Sequence, residues 1–198
     1  MHIRQILYNI LIQEKYQMQP MDKQWHMTAH GYRYFAEKFA EELYKTKIIG
    51  HIASGTGADA FILDNGNVMK ITDYPQDAYS ANWMVTNNIN HPRLAEVYDV
   101  FQINLNGREP IYGIVMEQLT DICGMSEDEE YEIGKYIEED LHRDNIYPTN
   151  DLHRCNIGRN KHGEWVMADI NLMGNNRDNN ITKQVDGTGI KMDYSQQH

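Results

Sequence analysis

Residues 150–158 read NDLHRCNIG, and residues 165–169 read WVMAD. These segments place three polar side chains at fixed spacing: Asp151, then Asn156 five residues later, then Asp169 thirteen residues after that. Phosphoryl transfer needs such groups at one point, because a carboxylate orients the accepting hydroxyl while an amide and a second carboxylate hold Mg²⁺. The spacing therefore predicts Asp151 as a catalytic residue and Asn156 and Asp169 as metal ligands. An aspartate in a loop is also a common turn residue, so the rest of the chain has to supply the other parts.

Length and charge limit the classes of protein. A chain of 198 residues with 41% apolar content can form one ordinary domain or two small lobes around a cleft. A net charge of −11 argues against a nucleic-acid backbone or an anionic membrane as partner. The acidic stretch 127–140 is typical of a solvated helix face, and an acidic surface that imitates nucleic acid is the alternative. No apolar run approaches membrane-spanning length, and the first residues are not a signal peptide.

The chain contains two cysteines, Cys123 and Cys155, and neither belongs to a CxxC pair. Two isolated cysteines do not indicate a disulfide scaffold, so we expect a reducing, cytoplasmic environment. His153 lies close to Cys155, but the sequence has no second ligand pair of zinc spacing. Structural zinc is therefore not expected.

Apolar periodicity divides the chain into a helical beginning and a strand-rich middle. It predicts amphipathic helices over residues 2–17 and roughly 28–46, whose pattern indicates packing only. The period then changes to that of strands. The predicted elements are strands over 48–52, 60–63, 68–71, 95–103 and 111–118, with a helix over 75–88 that is interrupted near Asn87 and Asn88.

The last third begins with a capping box formed by Ser126 and Glu129. The helix that it opens is expected to bury Ile133, Ile137 and Leu141. A loop over 145–150 and two short strands, over 156–159 and 165–170, follow. From residue 174 the sequence is polar and rich in asparagine, which predicts a loosely held tail, with a short strand around 190–192 as an alternative.

Two features of the middle section indicate phosphate binding. Ser54, Gly55, Thr56 and Gly57 form a turn in which backbone N–H groups can approach phosphate oxygens, although an ordinary hairpin turn has the same composition. Lys70 stands in an apolar strand, where a lysine either faces solvent or pairs with a charged group. The functional interpretation is that Lys70 contacts the α- and β-phosphates of a nucleotide.

Taken in this order, the parts resemble the protein-kinase-like fold over residues 48–171. Within that fold they are most similar to small serine/threonine kinases of tailed bacteriophages, which act on host proteins. The segments that carry the resemblance are GTGADAF (55–61), NVMK (67–70), DAY (77–79), AEVYDV (95–100), MEQL (116–119) and DLHRCN (151–156).

The resemblance implies a compact two-lobe α+β fold with a truncated C-terminal lobe. Its expected parts are an N-terminal helical extension (1–46), a kinase-like N-lobe (47–119), a reduced C-lobe with the catalytic loop (120–174) and a polar tail (175–198). It also implies ATP and Mg²⁺ as cofactors, and transfer of the γ-phosphate to a serine or threonine of a host protein in the host cytoplasm.

The resemblance also implies roles for individual residues. Lys70 would be catalytic, and the glycine-rich turn would bind the phosphates. Val68, Met116, Glu117 and Leu119 would bind the adenine, although the strand that contains Met116 also reads as an ordinary core strand.

The sequence departs from the kinase pattern at four points. The pair before the catalytic aspartate is Thr149-Asn150 rather than His-Arg, and the pair after the metal aspartate is Ile170-Asn171 rather than Phe-Gly. The helix over 75–88 has no glutamate for the strand lysine, and its one acidic residue, Asp77, has a shorter reach. Few residues remain after the metal aspartate to build the helices that bind peptide substrates.

These departures leave other functions open. The alternative is a catalytically inactive kinase-like protein that binds and inhibits a host factor through an acidic or helical surface. Phosphotransfer to a small molecule and nucleotidyl transfer are weaker alternatives. The sequence does not fix the oligomeric state and is compatible with a homodimer.

Overall fold

The structure is a computed structural model that describes residues 29–55, 57–122, 124–148, 152, 154–169, 172–173 and 180–187. These residues form a mixed α+β architecture. The helices are α1 (Ala29–Tyr44), α2 (Pro75–Thr86) and α3 (Glu127–Arg143), and a 3-10 turn covers Arg154–Asn156. The helix predicted over 2–17 and the alternative strand around 190–192 lie outside the described residues. None of the helices in the described ranges has both the length and the apolar character needed to cross a membrane.

Most of the strands form one six-stranded sheet. The strands are β1 (Ile48–Gly55), β2 (Ala58–Leu63), β3 (Asn67–Thr72), β4 (Val97–Asn104), β5 (Ile111–Glu117), β6 (Tyr147–Pro148), β7 (Ile157–Arg159), β8 (Trp165–Met167), β9 (Leu172–Met173) and β10 (Gln184–Asp186). The order in the large sheet is β1-β2-β3-β5-β4-β10, antiparallel except for the parallel pair β4–β10. Two further antiparallel pairs are β6–β9 and β7–β8. The first five strands confirm the predicted ones to within a few residues at each end.

Alternation along β2 and β3 separates the two faces of the large sheet. Phe61, Leu63, Met69 and Ile71 point to one face, where they pack against aromatic side chains of α1. Lys70 lies between Met69 and Ile71 in β3, and its side chain therefore belongs to the opposite face. Helix α1 covers the face away from Lys70.

Helix α2 packs on the Lys70 face of the sheet. Its buried Ala78 and Ala81 let the helix approach the side chains of β4 and β5 closely. The helix ends at Thr86, which confirms the predicted interruption near Asn87 and Asn88. The reason is local, because Asn88 adopts a left-handed conformation with φ of 53°, which terminates a helix and which asparagine tolerates.

A third cluster joins the sheet to the C-terminal elements. Buried side chains from β3, β5, α3 and the β7–β8 hairpin meet in it, and they include Val68, Met116, Leu119, Ile137, Leu141, Ile157, Val166 and Met167. The prediction for α3 is confirmed, since Ile137 and Leu141 are fully buried and Ile133 packs at the edge of the cluster. The predicted capping box is also present, because the Ser126 and Glu129 side chains each bond the other's backbone.

Two predictions about loops and tail are wrong. The loop expected over 145–150 contains β6, which pairs with β9 through only two residues on each strand and is too short to show a period. The loosely held tail is wrong for residues 180–187, which supply β10 and the buried Ile181. An edge strand exposes most of its side chains, as β10 does at Gln184 and Asp186. Its sequence is therefore polar and shows no apolar strand pattern.

Gly113 offers a test of the packing at the centre of the sheet. It lies opposite Phe101 in the β4–β5 register, and a Cβ at this position would overlap the buried Phe101 ring. We expect Gly113→Ala to lower the free energy of unfolding by about 2 kcal/mol, because overpacking forces a buried ring from its rotamer. Urea denaturation measures the loss. The double variant Gly113→Ala/Phe101→Leu should recover part of it, and equal stability of the two variants would contradict this packing.

Candidate functional site

Lys70 of β3 is held by two carboxylates. Its Nζ lies 2.9 Å from Asp77 Oδ2 and 2.6 Å from Asp169 Oδ1. The exposed fractions of the three side chains are 17% for Lys70, 9% for Asp77 and 30% for Asp169. Lys70 therefore does not face solvent, and the fold brings it together with a residue 99 positions away in the chain.

Asp77 reaches Lys70 because of the short link between β3 and α2. The strand ends at Thr72 and the helix begins at Pro75, so Asp77 stands in the first helical turn, close to the strand that carries the lysine. Thr72 stabilises the link, since its hydroxyl oxygen accepts a hydrogen bond from the backbone N–H of Tyr74 (3.0 Å). A carboxylate is also favoured at a helix N-terminus. The shorter reach expected of an aspartate is therefore no obstacle here.

The β7–β8 hairpin places Asp169 next to Asn156. Ile157 pairs with Met167, and the N–H of Ala168 donates to the carbonyl of Asn156 (2.7 Å). Asn156 comes just before β7 and Asp169 comes just after β8, so both residues lie at the same end of the hairpin. The spacing of thirteen residues in the sequence corresponds to the length of this hairpin.

The glycine-rich turn lies against the link between β3 and α2. Gly57 has a φ of 73°, which favours glycine, and a Cβ on it would overlap the Asp73 carboxylate. The N–H of Asp73 donates to the carbonyl of Gly57 (2.9 Å), and the hydroxyl of Tyr32 donates to Asp73 Oδ2 (3.0 Å). Ser54 and Gly55 lie in the backbone of β1, whereas Thr56 is outside the described residues.

Burial and charge act against each other in this cluster. Burial alone would lower the pKa of Lys70, but the charges of Asp77 and Asp169 and their hydrogen bonds outweigh it and raise the pKa above its usual value. Burial raises the pKa of Asp77, and the nearby charges of Asp169 and Asp73 raise it further against the opposing effect of Lys70. Asp77 and Asp169 thus share one ammonium group, and the charge of Asp73 lies near Asp77 as well, so this negative excess favours an added proton or cation.

The donor set fits Mg²⁺ better than it fits a transition metal. Asp169 and Asn156 offer carboxylate and amide oxygens, and Mg²⁺ is usually bound by one or two carboxylates together with water and phosphate oxygens. Among the described residues, no group of three or more His, Cys, Asp or Glu side chains is arranged to hold a metal ion. A metal at this hairpin would therefore take part of its coordination from a bound substrate.

The apolar residues predicted to bind the base lie in one core cluster. Val68, Met116 and Leu119 are buried in the core that joins the sheet to the C-terminal elements. Sequence reasoning missed Ile52 and Ala60, which pack against the same cluster. The signal for Ala60 was available, because it pairs with Lys70 in the β2–β3 register and so shares its face.

Glu117 plays a different part from these apolar residues. Its buried carboxylate accepts a hydrogen bond from the N–H of Glu96 (2.8 Å), and its own N–H donates to the carbonyl of Glu96 (2.9 Å). The side chain therefore fixes the turn before β4. Both the side chain and the backbone N–H of Glu117 are therefore bonded to Glu96, and the contact of this residue with a base stays a prediction.

The proposed catalytic aspartate, Asp151, lies outside the described residues. Its neighbour Leu152 packs against the central core, which anchors the chain between α3 and β7. Cys155 is disulfide-bonded, so the expectation of two isolated thiols is wrong for this residue. Disulfide pairing joins residues distant in sequence, and the spacing of the two cysteines gave no sign of it. The other cysteine of the chain, Cys123, is outside the described residues.

Comparison with known proteins gives a similarity of fold only. No protein-family model matches the chain, and no curated protein matches it. Among solved structures, the chain is similar to the MAP kinase LmaMPK10 from Leishmania major, with 16% sequence identity and a TM-score of 0.49. The match covers 73% of this chain and 51% of that kinase, so the chain corresponds to about half of its length.

Proposed function

We propose that this chain binds MgATP beside Lys70 and transfers the γ-phosphate to a hydroxyl group of a protein, as serine/threonine kinases do. One observation carries the proposal: the ammonium of Lys70 lies within 3 Å of carboxylates from α2 and from the segment after β8. Phosphotransferases of the kinase type need a strand lysine paired with a helix carboxylate and a metal-binding aspartate close by. Asp77 takes the place of the usual glutamate.

Each residue of the site has a defined task in this proposal. Asp77 holds the Lys70 ammonium in position, and Lys70 neutralises charge on the α- and β-phosphates. Asn156 and Asp169 would hold Mg²⁺, which when bound neutralises charge on the phosphate oxygens. Asp151 enters from the sequence spacing alone and would orient the accepting hydroxyl, with catalysis resting on positioning and charge neutralisation.

Further details of the proposal rest on the sequence resemblance. We propose that the chain is encoded by a phage, acts on a serine or threonine of a host protein and works in the host cytoplasm. In the same proposal, residues 47–119 form the N-lobe and residues 120–174 form a reduced C-lobe.

One observation favours an inactive, binding-only function instead. Both carboxylates already neutralise Lys70, and the Asp169–Lys70 distance of 2.6 Å means that a nucleotide has to separate them. If separating Asp169 from Lys70 costs more free energy than the contacts with the phosphates supply, the chain would serve only to bind and inhibit a host factor. Nucleotide binding distinguishes the two functions.

The charge balance at Lys70 gives a prediction about stability. Lys70→Met leaves Asp77 buried without its partner, so we expect a loss of about 3 kcal/mol in the free energy of unfolding at pH 7.5. The pKa of Asp77 is already raised and should rise further in the variant. A carboxyl group whose pKa is raised in the folded state makes the folded protein less stable as pH increases. The loss in the free energy of unfolding of Lys70→Met should therefore shrink toward pH 5. Urea denaturation at both pH values measures it.

The double variant Lys70→Met/Asp77→Asn is the matched control for this experiment. It removes the buried carboxylate as well, so its stability should change less between pH 5 and pH 7.5 than that of Lys70→Met. A deficit that is the same at both pH values would show that Asp77 does not depend on the Lys70 charge.

Nucleotide binding gives the second prediction. MgATP at ten times its Kd should stabilise the folded chain by about 1.4 kcal/mol, which raises the Tm by about 4 °C. Asp169→Asn should abolish this rise, because it removes a charged oxygen donor while keeping the shape of the side chain. Glu109→Gln, at an exposed position in the β4–β5 turn, is the control with the same charge change and should keep the rise. No rise in the unaltered protein would support the binding-only function.

Transfer of phosphate needs a separate experiment. Incubation with γ-labelled ATP and a bacterial lysate should place label on serine or threonine of a lysate protein, or on the chain itself. Asp151→Ala and Asp169→Asn should each remove the label, because the first loses the orienting carboxylate and the second a metal ligand. Label that persists in both variants would contradict the assignment of the site.

A further inference from the structure

The segment 180–187 returns to the large sheet after the Asp169 region. It lies along the outer edge of β4, where the N–H of Gln102 donates to the carbonyl of Lys183 (2.9 Å) and the N–H of Gly187 donates to the carbonyl of Asn104 (2.9 Å). Together with the β10 pairing, these bonds fix the backbone of the segment over most of its length.

Charged and aromatic contacts anchor the same segment. The ammonium of Lys183 forms an ion pair with Asp99 of β4 and donates a hydrogen bond to the hydroxyl of Tyr44 in α1 (3.1 Å). It also lies 4.7 Å from the centre of the Tyr44 ring. The segment is therefore attached both to the sheet edge and to the helix behind the sheet.

Ile181 projects from this segment into the core under α2. Its side chain is 2% exposed and belongs to one apolar cluster with Ala78 and Ala81 of α2. The rest of this cluster comes from β4 and β5: Val100, Tyr112 and Ile114. Because the two helix residues are alanines, Ile181 supplies much of the apolar volume on that side of the helix. Ala78 directly follows Asp77, so this contact lies beside the residue that holds Lys70.

A second contact from the same part of the chain holds α2 at Ser80. The backbone N–H of Leu172 donates to the hydroxyl oxygen of Ser80 (3.1 Å), and both residues are buried. Ser80 of α2 is thus bonded to β9, and Ala78 and Ala81 share one buried apolar cluster with Ile181. Both contacts come from chain that follows Asp169.

We propose that Ile181 is a positioning residue, which sets the place of α2 and through it the distance between Asp77 and Lys70. This inference deepens the proposed function, on which its effect on nucleotide binding rests. Without the Ile181 side chain, α2 faces an unfilled space beside Ala78 and can move into it. The Asp77 carboxylate then leaves its position 2.9 Å from Lys70, and the lysine keeps only Asp169.

Hydrogen exchange of the nucleotide-free protein tests the positioning directly. Ile181→Ala should increase amide exchange in α2, with the rest of the sheet little changed, because local opening follows the loss of buried contacts. Val185→Ala is the matched control: Val185 lies in the same segment but packs against the α1 cluster. It should leave exchange in α2 unchanged. Ile181→Val should restore most of the protection and guards against a variant that fails to fold.

Binding of MgADP, followed by calorimetry, tests the consequence for the site. Ile181→Ala should weaken the affinity about tenfold, within the usual range of coupling between contacts and sites, and Val185→Ala should not change it. In an Asp77→Asn background, Ile181→Ala should cause no further loss, because its effect passes through Asp77.

Three outcomes would overturn the inference. One is exchange in α2 that Ile181→Ala leaves unchanged, and another is exchange that Val185→Ala increases equally. The third is a double variant, Ile181→Ala/Asp77→Asn, whose loss of MgADP affinity equals the sum of the losses in the two single variants. If the unaltered protein binds no MgADP, the proposed function fails, but the exchange of α2 still decides whether Ile181 positions the helix.

Discussion

The ammonium of Lys70, shared by Asp77 and Asp169, is the interaction on which the arrangement of this chain depends. It joins β3, α2 and the segment after β8, which are separated by up to 99 residues in the sequence. Burying an unpaired charge costs several kcal/mol, so Asp77 is tolerated in the interior because Lys70 is present, and Lys70 is tolerated because the two carboxylates are present. The packing around them has to keep three separate elements in one register, and this requirement explains why both faces of the sheet are covered.

The two faces of the sheet meet this requirement in different ways. On the face away from Lys70, aromatic residues of α1 such as Phe35 and Phe39 pack on Phe61 and Phe101 and hold the strands. On the Lys70 face, small residues bring α2 close to the sheet. The core on the α1 face therefore fixes β3, which carries Lys70. The core on the Lys70 face fixes α2, which carries Asp77. Stability and site geometry are thus divided between the two faces.

The sequence predicted those features that arise from local periodicity and spacing. Apolar runs bounded by turn residues predicted the five antiparallel strands, and the capping box predicted the start of α3. The spacing of Asn156 and Asp169 corresponds to a hairpin that puts them at one end. It did not predict that Asp77 reaches Lys70, because this depends on the two-residue link between β3 and α2. Nor did it predict β10, whose partners are supplied by the distant β4 edge. Features that depend on contacts between distant segments leave little trace in a local pattern.

The charges of the site are paired with one another, and this pairing restricts what can bind. A phosphate alone would pair with Lys70 and leave the Asp169 carboxylate without a cation. A cation alone would pair with Asp169 and leave the Lys70 ammonium with one carboxylate fewer. A ligand that carries both an anion for Lys70 and a cation for Asp169 replaces each partner in the same step. Lys70 and Asp169 then each keep a partner of opposite charge, and the desolvation already present in the site strengthens both new contacts. A magnesium-bound polyphosphate satisfies this condition, which is why the ion pair at 2.6 Å is compatible with nucleotide binding.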